Sequence, residues 1–90
     1  PAVAIIEQNQ TVHSIQFSTE GSYLVTGSDD GVVRIWGQSG NSRWTERATI
    51  AHNRPVHLVK FVMEMTHVLV CCDNRAILYK LNPKSLSFSV

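Results

Sequence analysis

V-H-S-I-Q-F-S-T-E-G-S-Y-L-V-T-G-S-D-D-G-V-V-R-I-W, residues Val12 to Trp36, reads as three consecutive antiparallel β-strands joined by two tight turns. Val12, Ile15 and Phe17 mark the first strand, Tyr23, Leu24 and Val25 the second, and Val32, Val33, Ile35 and Trp36 the third. Each is rich in β-branched and aromatic side chains, which suit a pleated surface. Between them stand Thr19-Glu20-Gly21-Ser22 and Asp29-Asp30-Gly31, where glycine adopts positive φ without steric cost. Asp-Gly between apolar runs is among the stronger short-range hairpin signals.

Outward from this stretch, Ala2-Val3-Ala4-Ile5-Ile6 is a short β-prone run that ends at the polar cluster Glu7 to Thr11. After Trp36, the turn-forming run Gly37 to Ser42 leads into Arg43–Ile50, which alternates loosely as a half-exposed fourth strand. The pattern then recurs. Val56, Val59 and Phe61 repeat the spacing of Val12, Ile15 and Phe17 at an offset of 44, and Val68-Leu69-Val70 answers Leu24-Val25-Thr26 at the same offset. Asp73 answers Asp30, and Tyr79 answers Trp36, at 43, so the second repeat has lost one turn residue. Ser85–Val90 alternates as a last strand, and no segment has sustained helical periodicity. The expectation is an all-β chain of nine strands: a leading strand and two four-stranded antiparallel units.

Composition narrows the function classes. Net charge is +1, and the eight basic residues are scattered, so no local field favours nucleic acid or an anionic membrane. No apolar run approaches the roughly 18 residues of a membrane span, and Pro1-Ala2-Val3-Ala4 lacks the charged start of a signal peptide. Cys71 and Cys72 are adjacent, a placement ill suited to an ordinary disulfide, and are expected to be reduced thiols in the cytoplasm or nucleus. The sequon Asn9-Gln10-Thr11 points the other way but carries little weight. The start at Pro1 rather than Met suggests a piece of something longer.

A repeat of 40 to 45 residues, each unit a run of short strands, is the signature of propeller blades. Together with F-S-T-E-G-S-Y-L-V-T-G-S-D-D-G-V-V-R-I-W in the first repeat, and Ala51-His52, Pro55-Val56, Phe61, Asp73 and Tyr79 in the second, it makes the chain resemble the WD-repeat (WD40) β-propeller family. The resemblance divides residues 1–90 into an outer strand of a preceding blade (1–6), a first repeat (7–50) and a second (51–90), as part of a larger propeller. It implies a buried relay in each blade linking a His before the blade, a hydroxyl on the second strand, an Asp in the second turn and a Trp on the third strand. The matching positions are Thr26, Asp30 and Trp36 in the first repeat, with Gln8 where His is expected. In the second they are His52, Asp73 and Tyr79, with Val70 in the hydroxyl position, so that relay is expected to be broken or rearranged.

The same resemblance places ligands on the face formed by the loop before each blade and its second turn. The positions carried over are Thr11, His13 and Asp29, then Pro55, His57 and Cys72. It implies a non-enzymatic scaffold or adaptor that binds proteins or peptides within a multi-subunit complex, with neighbouring blades supplied by a longer chain or by other copies. No C-x-x-C or H-x-x-x-H spacing suggests a metal, and no nucleophile motif, phosphate-binding glycine loop or catalytic carboxylate pair suggests an enzyme or a cofactor. Cys71 reads as a small buried hydrophobe. Arg43-Trp44-Thr45-Glu46-Arg47 interleaves charge with an aromatic ring, so contact with RNA in a ribonucleoprotein is the alternative function, less favoured than a protein partner.

Overall fold

Eight β-strands and no helix occupy residues 8, 10–38, 43–64, 66–82 and 84–89, the parts of the chain that the computed structural model describes. β1 (Val12–Phe17), β2 (Tyr23–Ser28), β3 (Val32–Gln38) and β4 (Trp44–Ala51) form one antiparallel sheet in that order. β5 (Val56–Val62), β6 (His67–Cys72), β7 (Arg75–Asn82) and β8 (Ser87–Ser89) form the second. Two four-stranded meanders are therefore present as the spacing predicts, and the expected leading strand over 2–6 lies outside the described residues. β8 is shorter than expected because Asn82 holds the chain in a turn. Its Oδ1 accepts the Lys84 and Ser85 amides at 3.0 and 3.3 Å, and its carbonyl accepts the Leu86 amide at 2.7 Å.

Side chains in a strand alternate between faces, and directly paired residues share a face. In the first sheet Ile15 and Phe17 lie opposite Thr26 and Leu24, whereas Ser14 and Gln16 lie opposite Gly27 and Val25. The second face packs on the other sheet. Val25, Val33 and Ile35 form one core with Val56, Val59, Val68, Val70 and Leu81, all 2% exposed or less. Fully burying a side chain of this size contributes about 1.5–3 kcal/mol, so this shared core is the main source of cohesion between the sheets.

Close approach depends on Gly27. A Cβ there would strike Val56 Cγ1 and stand 2.9 Å from Val59 Cγ1. Polar side chains complete the seam. β5 is an edge strand, and two of its outward amides are capped from β1: Val59 N donates to Ser14 Oγ at 3.0 Å and Phe61 N to Gln16 Oε1 at 2.6 Å. An edge with its donors satisfied from the neighbouring sheet is closed to other strands.

Phe17 and Phe61 hold the same place in their sheets, opposite Leu24 and Val68, but among the described residues only Phe61 has a sheet in front of it. Val12, Ile15 and Phe17 are 40%, 59% and 55% exposed, while their counterparts Val56 and Val59 are 0% and 1%.

Candidate functional site

Two loops per sheet build the candidate site, and in the first sheet the decisive one is Asp29-Asp30-Gly31. Gly31 sits at φ 81°, and a Cβ there would strike the His52 carbonyl oxygen, so both backbone conformation and space require glycine. The turn folds the Asp30 carboxylate inward. It accepts from Ser28 Oγ at 2.5 Å, from the Val32 amide at 3.1 Å and from Arg34 Nη2 at 2.8 Å. The Arg34 guanidinium, then Ser28 and the Val32 amide, outweigh desolvation and hold the Asp30 pKa down at about 2.

Arg34 carries the network onward. Its Nη1 donates to Gln8 Oε1 at 3.1 Å and Gln8 Nε2 donates to Thr26 Oγ1 at 3.3 Å. A guanidinium only donates, so the carbonyl end of the Gln8 amide must face it. Trp36 Nε1 donates to the same Thr26 oxygen at 3.2 Å. Thr26, Asp30 and Trp36 thus lie in one network, but Asp30 connects to the other two through Arg34 and Gln8. Sequence reasoning missed Arg34 and Ser28. The available signal was the i, i+4 spacing of Asp30 and Arg34, which a tight hairpin followed by a strand can bring within ion-pair distance.

In the second sheet every member of this network is replaced or lost. Register places Cys72 where Ser28 stands, Val70 at Thr26, Ile77 at Arg34 and Tyr79 at Trp36. His52 and Tyr79 remain joined, His52 Nε2 to Tyr79 Oη at 2.8 Å, while His52 Nδ1 lies 3.2 Å from the Gly31 carbonyl. The carbonyl can only accept, so Nδ1 carries the proton and, in the neutral ring, Tyr79 donates to Nε2. Burial pushes the Tyr79 hydroxyl and the Cys72 thiol up from their ordinary pKa values.

Asp73 is not part of this pair. The β6–β7 connection has two residues, Asp73-Asn74, where β2–β3 has three, and Asp73 follows Cys72 as Asp29 follows Ser28. Its φ of 49° turns the chain sharply, and its carboxylate points outward, 3.5 Å from His57 Nε2 and 3.5 Å from Arg54 Nε. The expected relay assignment at Asp73 is corrected: it is the structural counterpart of Asp29, and the residue lost from the turn is the counterpart of Asp30. The expected rim position at Cys72 shifts with it, because Cys72 is 5% exposed and belongs to the core. Cys71, expected to be buried, is half-exposed on the outer face of β6.

The remaining rim positions converge. His13 and His57 are both skipped by the strand ladders, at register shifts between Val12 and Ser14 and between Val56 and Leu58. A bulge leaves its extra residue unpaired and re-aims the side chain, and here the same bulge lifts both histidines to the same end of the seam. Their rings are 5.9 Å apart at 47°. His13 Nε2 lies 3.0 Å from Asp29 Oδ1, so each histidine has an aspartate of its own hairpin beside it. Thr11 is exposed and its carbonyl accepts the Asp29 amide at 2.8 Å; Pro55 is half-buried beside Val56. Among the described residues no three His, Cys, Asp or Glu side chains converge as a metal site, and no helix is long and apolar enough to cross a membrane. On the alternative RNA surface, Trp44 is half-buried and packs edge-on against Phe17 at 5.9 Å, while the Arg47 side chain lies over Gly37.

Known proteins share this pattern. A family profile described as "WD domain, G-beta repeat" matches residues 3–37, the span that holds β1, β2 and nearly all of β3. The chain belongs to the WD-repeat family. The human F-box-like/WD repeat-containing protein TBL1X is 33% identical over 64 residues, covering 71% of this chain and 11% of its own length. Its mouse counterpart is 31% identical over 64 residues, covering 71% of this chain and 12% of its own. Protein HIRA of Dictyostelium discoideum is 29% identical over 77 residues, 76% of this chain and 7% of that protein. The chain thus spans about a tenth of the length of these relatives. In WD-repeat terms, the two sheets are consecutive four-stranded blades packed face to face.

Proposed function

We propose that this chain is a non-enzymatic WD-repeat platform that presents the rim around His13 and His57 to a protein or peptide partner, as part of a larger propeller within a multi-subunit assembly. One observation carries this reading: the same bulge in two successive blades lifts equivalent histidines to one edge, each beside an aspartate. Exposed imidazole and carboxylate groups side by side offer donors and acceptors to a peptide backbone without requiring one sequence. The larger propeller follows from the uncovered faces. Val12, Ile15 and Phe17 present to solvent the surface that the second blade buries with Val56, Val59 and Phe61, and a repeat array becomes stable by covering such faces. In this reading residues 1–6 supply the outer strand of a preceding blade, 7–50 the first repeat and 51–90 the second.

The test is a selection of peptides from a displayed random library, followed by mapping of the bound peptides. Selected peptides are expected to perturb the His13 and His57 ring resonances and to bind at least tenfold more weakly to the His13→Ala/His57→Ala variant. Peptides that bind with full affinity to that variant would place recognition elsewhere. Single-stranded RNA binding with a steep salt dependence, lost on substitution of Arg43 or Arg47, would favour the ribonucleoprotein alternative.

A further inference from the structure

The second blade holds a cavity where the first holds a carboxylate. In the first blade Asp30, Arg34, Ser28 and Gln8 are joined by hydrogen bonds behind the hairpin. In the second, Asp30 has no counterpart, Cys72 replaces Ser28, and Ile77 replaces the long Arg34. The result is a cavity of about 500 Å³ with His52, Cys72, Ile77 and Tyr79 in its wall and Arg54, Asp73 and Arg75 among its outer residues. Arg75 pairs with Cys72 at the start of β7, and among the described residues it makes no ion pair. Arg54 is 73% exposed and reaches Asp73 only at 3.5 Å. Two guanidinium groups and one carboxylate, Asp73, therefore stand at the opening, with Asn53 and Asn74 beside them and Cys72, Ile77 and the His52–Tyr79 pair in the wall.

We infer that this cavity receives an acidic side chain of a peptide partner, the carboxylate meeting Arg75 and Arg54 at the opening. The guest carboxylate supplies from outside the charge that the shortened hairpin lacks. A carboxylate suits the opening because charge-assisted bonds to arginine are among the stronger ones available at a protein surface. This assignment rests on the platform reading above, and the two fail separately, because the rim histidines are not needed to hold the guest here.

The experiment is an NMR titration of the full chain with an N-acetylated, C-amidated alanine peptide carrying one central glutamate, with the glutamine analogue and inorganic phosphate as separate arms. The glutamate peptide is expected to shift the amides of Cys72, Ile77 and Tyr79, and the glutamine analogue to bind at least fivefold more weakly. Arg75→Gln is expected to weaken binding at least fivefold with an unchanged thermal midpoint, Arg75→Lys less, and Lys60→Gln on the opposite face not at all. The His13→Ala/His57→Ala variant is expected to titrate as the parent does, so its failure to capture rim peptides would leave this site standing. Equal affinity for the glutamate and glutamine peptides, shifts centred on Lys60, Lys80 or Lys84, or a cavity that takes phosphate but not the glutamate peptide would each overturn the inference.

Discussion

The two blades solve the same packing problem with opposite chemistry. On the face equivalent to the one by which the second blade packs on the first, the first carries Thr26, Ser28, Arg34 and Trp36, tied through Gln8 and Asp30 into one polar network, and the second carries Val70, Cys72, Ile77 and Tyr79. The replacement is concerted. Had Arg34 alone become apolar, the Asp30 carboxylate would have lost its guanidinium and Gln8 Oε1 its donor; with these partners changed as well, no buried side-chain polar atom among the described residues lacks a partner. Blade geometry thus depends on shape and backbone pairing, and the interior tolerates a large polar network or a small one as long as the polar atoms kept in it are paired.

The opposite faces differ in a second way. The first blade offers Gly27 to its neighbour, whereas the equivalent position in the second is Cys71, flanked by the exposed Leu58 and Leu78. A blade packed on this face could not approach Cys71 as closely as Val56 and Val59 approach Gly27, so such a seam would differ in geometry from the one between the two blades.

The largest expected effect comes from making the first blade half like the second. Arg34→Ile alone should destabilise the chain by about 2–3 kcal/mol in urea titrations, since it removes the hydrogen bonds that Arg34 gives to Asp30, Ser28 and Gln8, and adding Thr26→Val, Ser28→Cys and Asp30→Ala should recover at least half of that loss. A single variant as stable as the parent would mean that the network is ornamental. Next, Gly27→Ala should cost about 2 kcal/mol by overpacking Val56 and Val59, whereas Cys71→Ala should stay within about 0.5 kcal/mol. Equal costs at the two sites would erase the distinction between the two seams. Tyr79→Phe should cost about 1 kcal/mol, because His52 Nε2 loses its partner, and the His52 ring resonances should report the change directly.

The smallest effect is one of pH. The folded-state pKa of Asp30 lies below the ordinary carboxylate value, so the unfolded chain takes up this proton first. The stabilisation from Asp30 is complete above the ordinary carboxylate range and is lost as pH falls towards about 2. Asp30→Asn should therefore flatten the acid limb of the stability curve while leaving the slope above pH 5 unchanged. A difference confined to neutral pH would assign the network's contribution to another group.

Strand order and the two-blade division were legible because side-chain alternation and turn residues are local properties: Val12, Ile15 and Phe17 announce the same strand as Val56, Val59 and Phe61 wherever the rest of the chain lies. The site was legible only in part. His13 and His57 were carried over from the family resemblance, and the bulges that raise them, and the approach of their rings, arise from pairing with distant strands. Asp73 was misplaced because an Asp in a turn looks alike whether its carboxylate faces in or out, and one missing turn residue decides which.

By itself, then, the order of residues determined that this protein is built from two similar four-stranded units with tight polar turns, since those follow from backbone preferences and the period of side-chain alternation. Only the tertiary structure decided that Arg34 and Gln8 bridge Asp30 to Thr26, that Asp73 belongs to the rim and that a cavity opens beside Tyr79. Each of these depends on how far a side chain reaches across a seam, a distance set by the packing of one blade on the next.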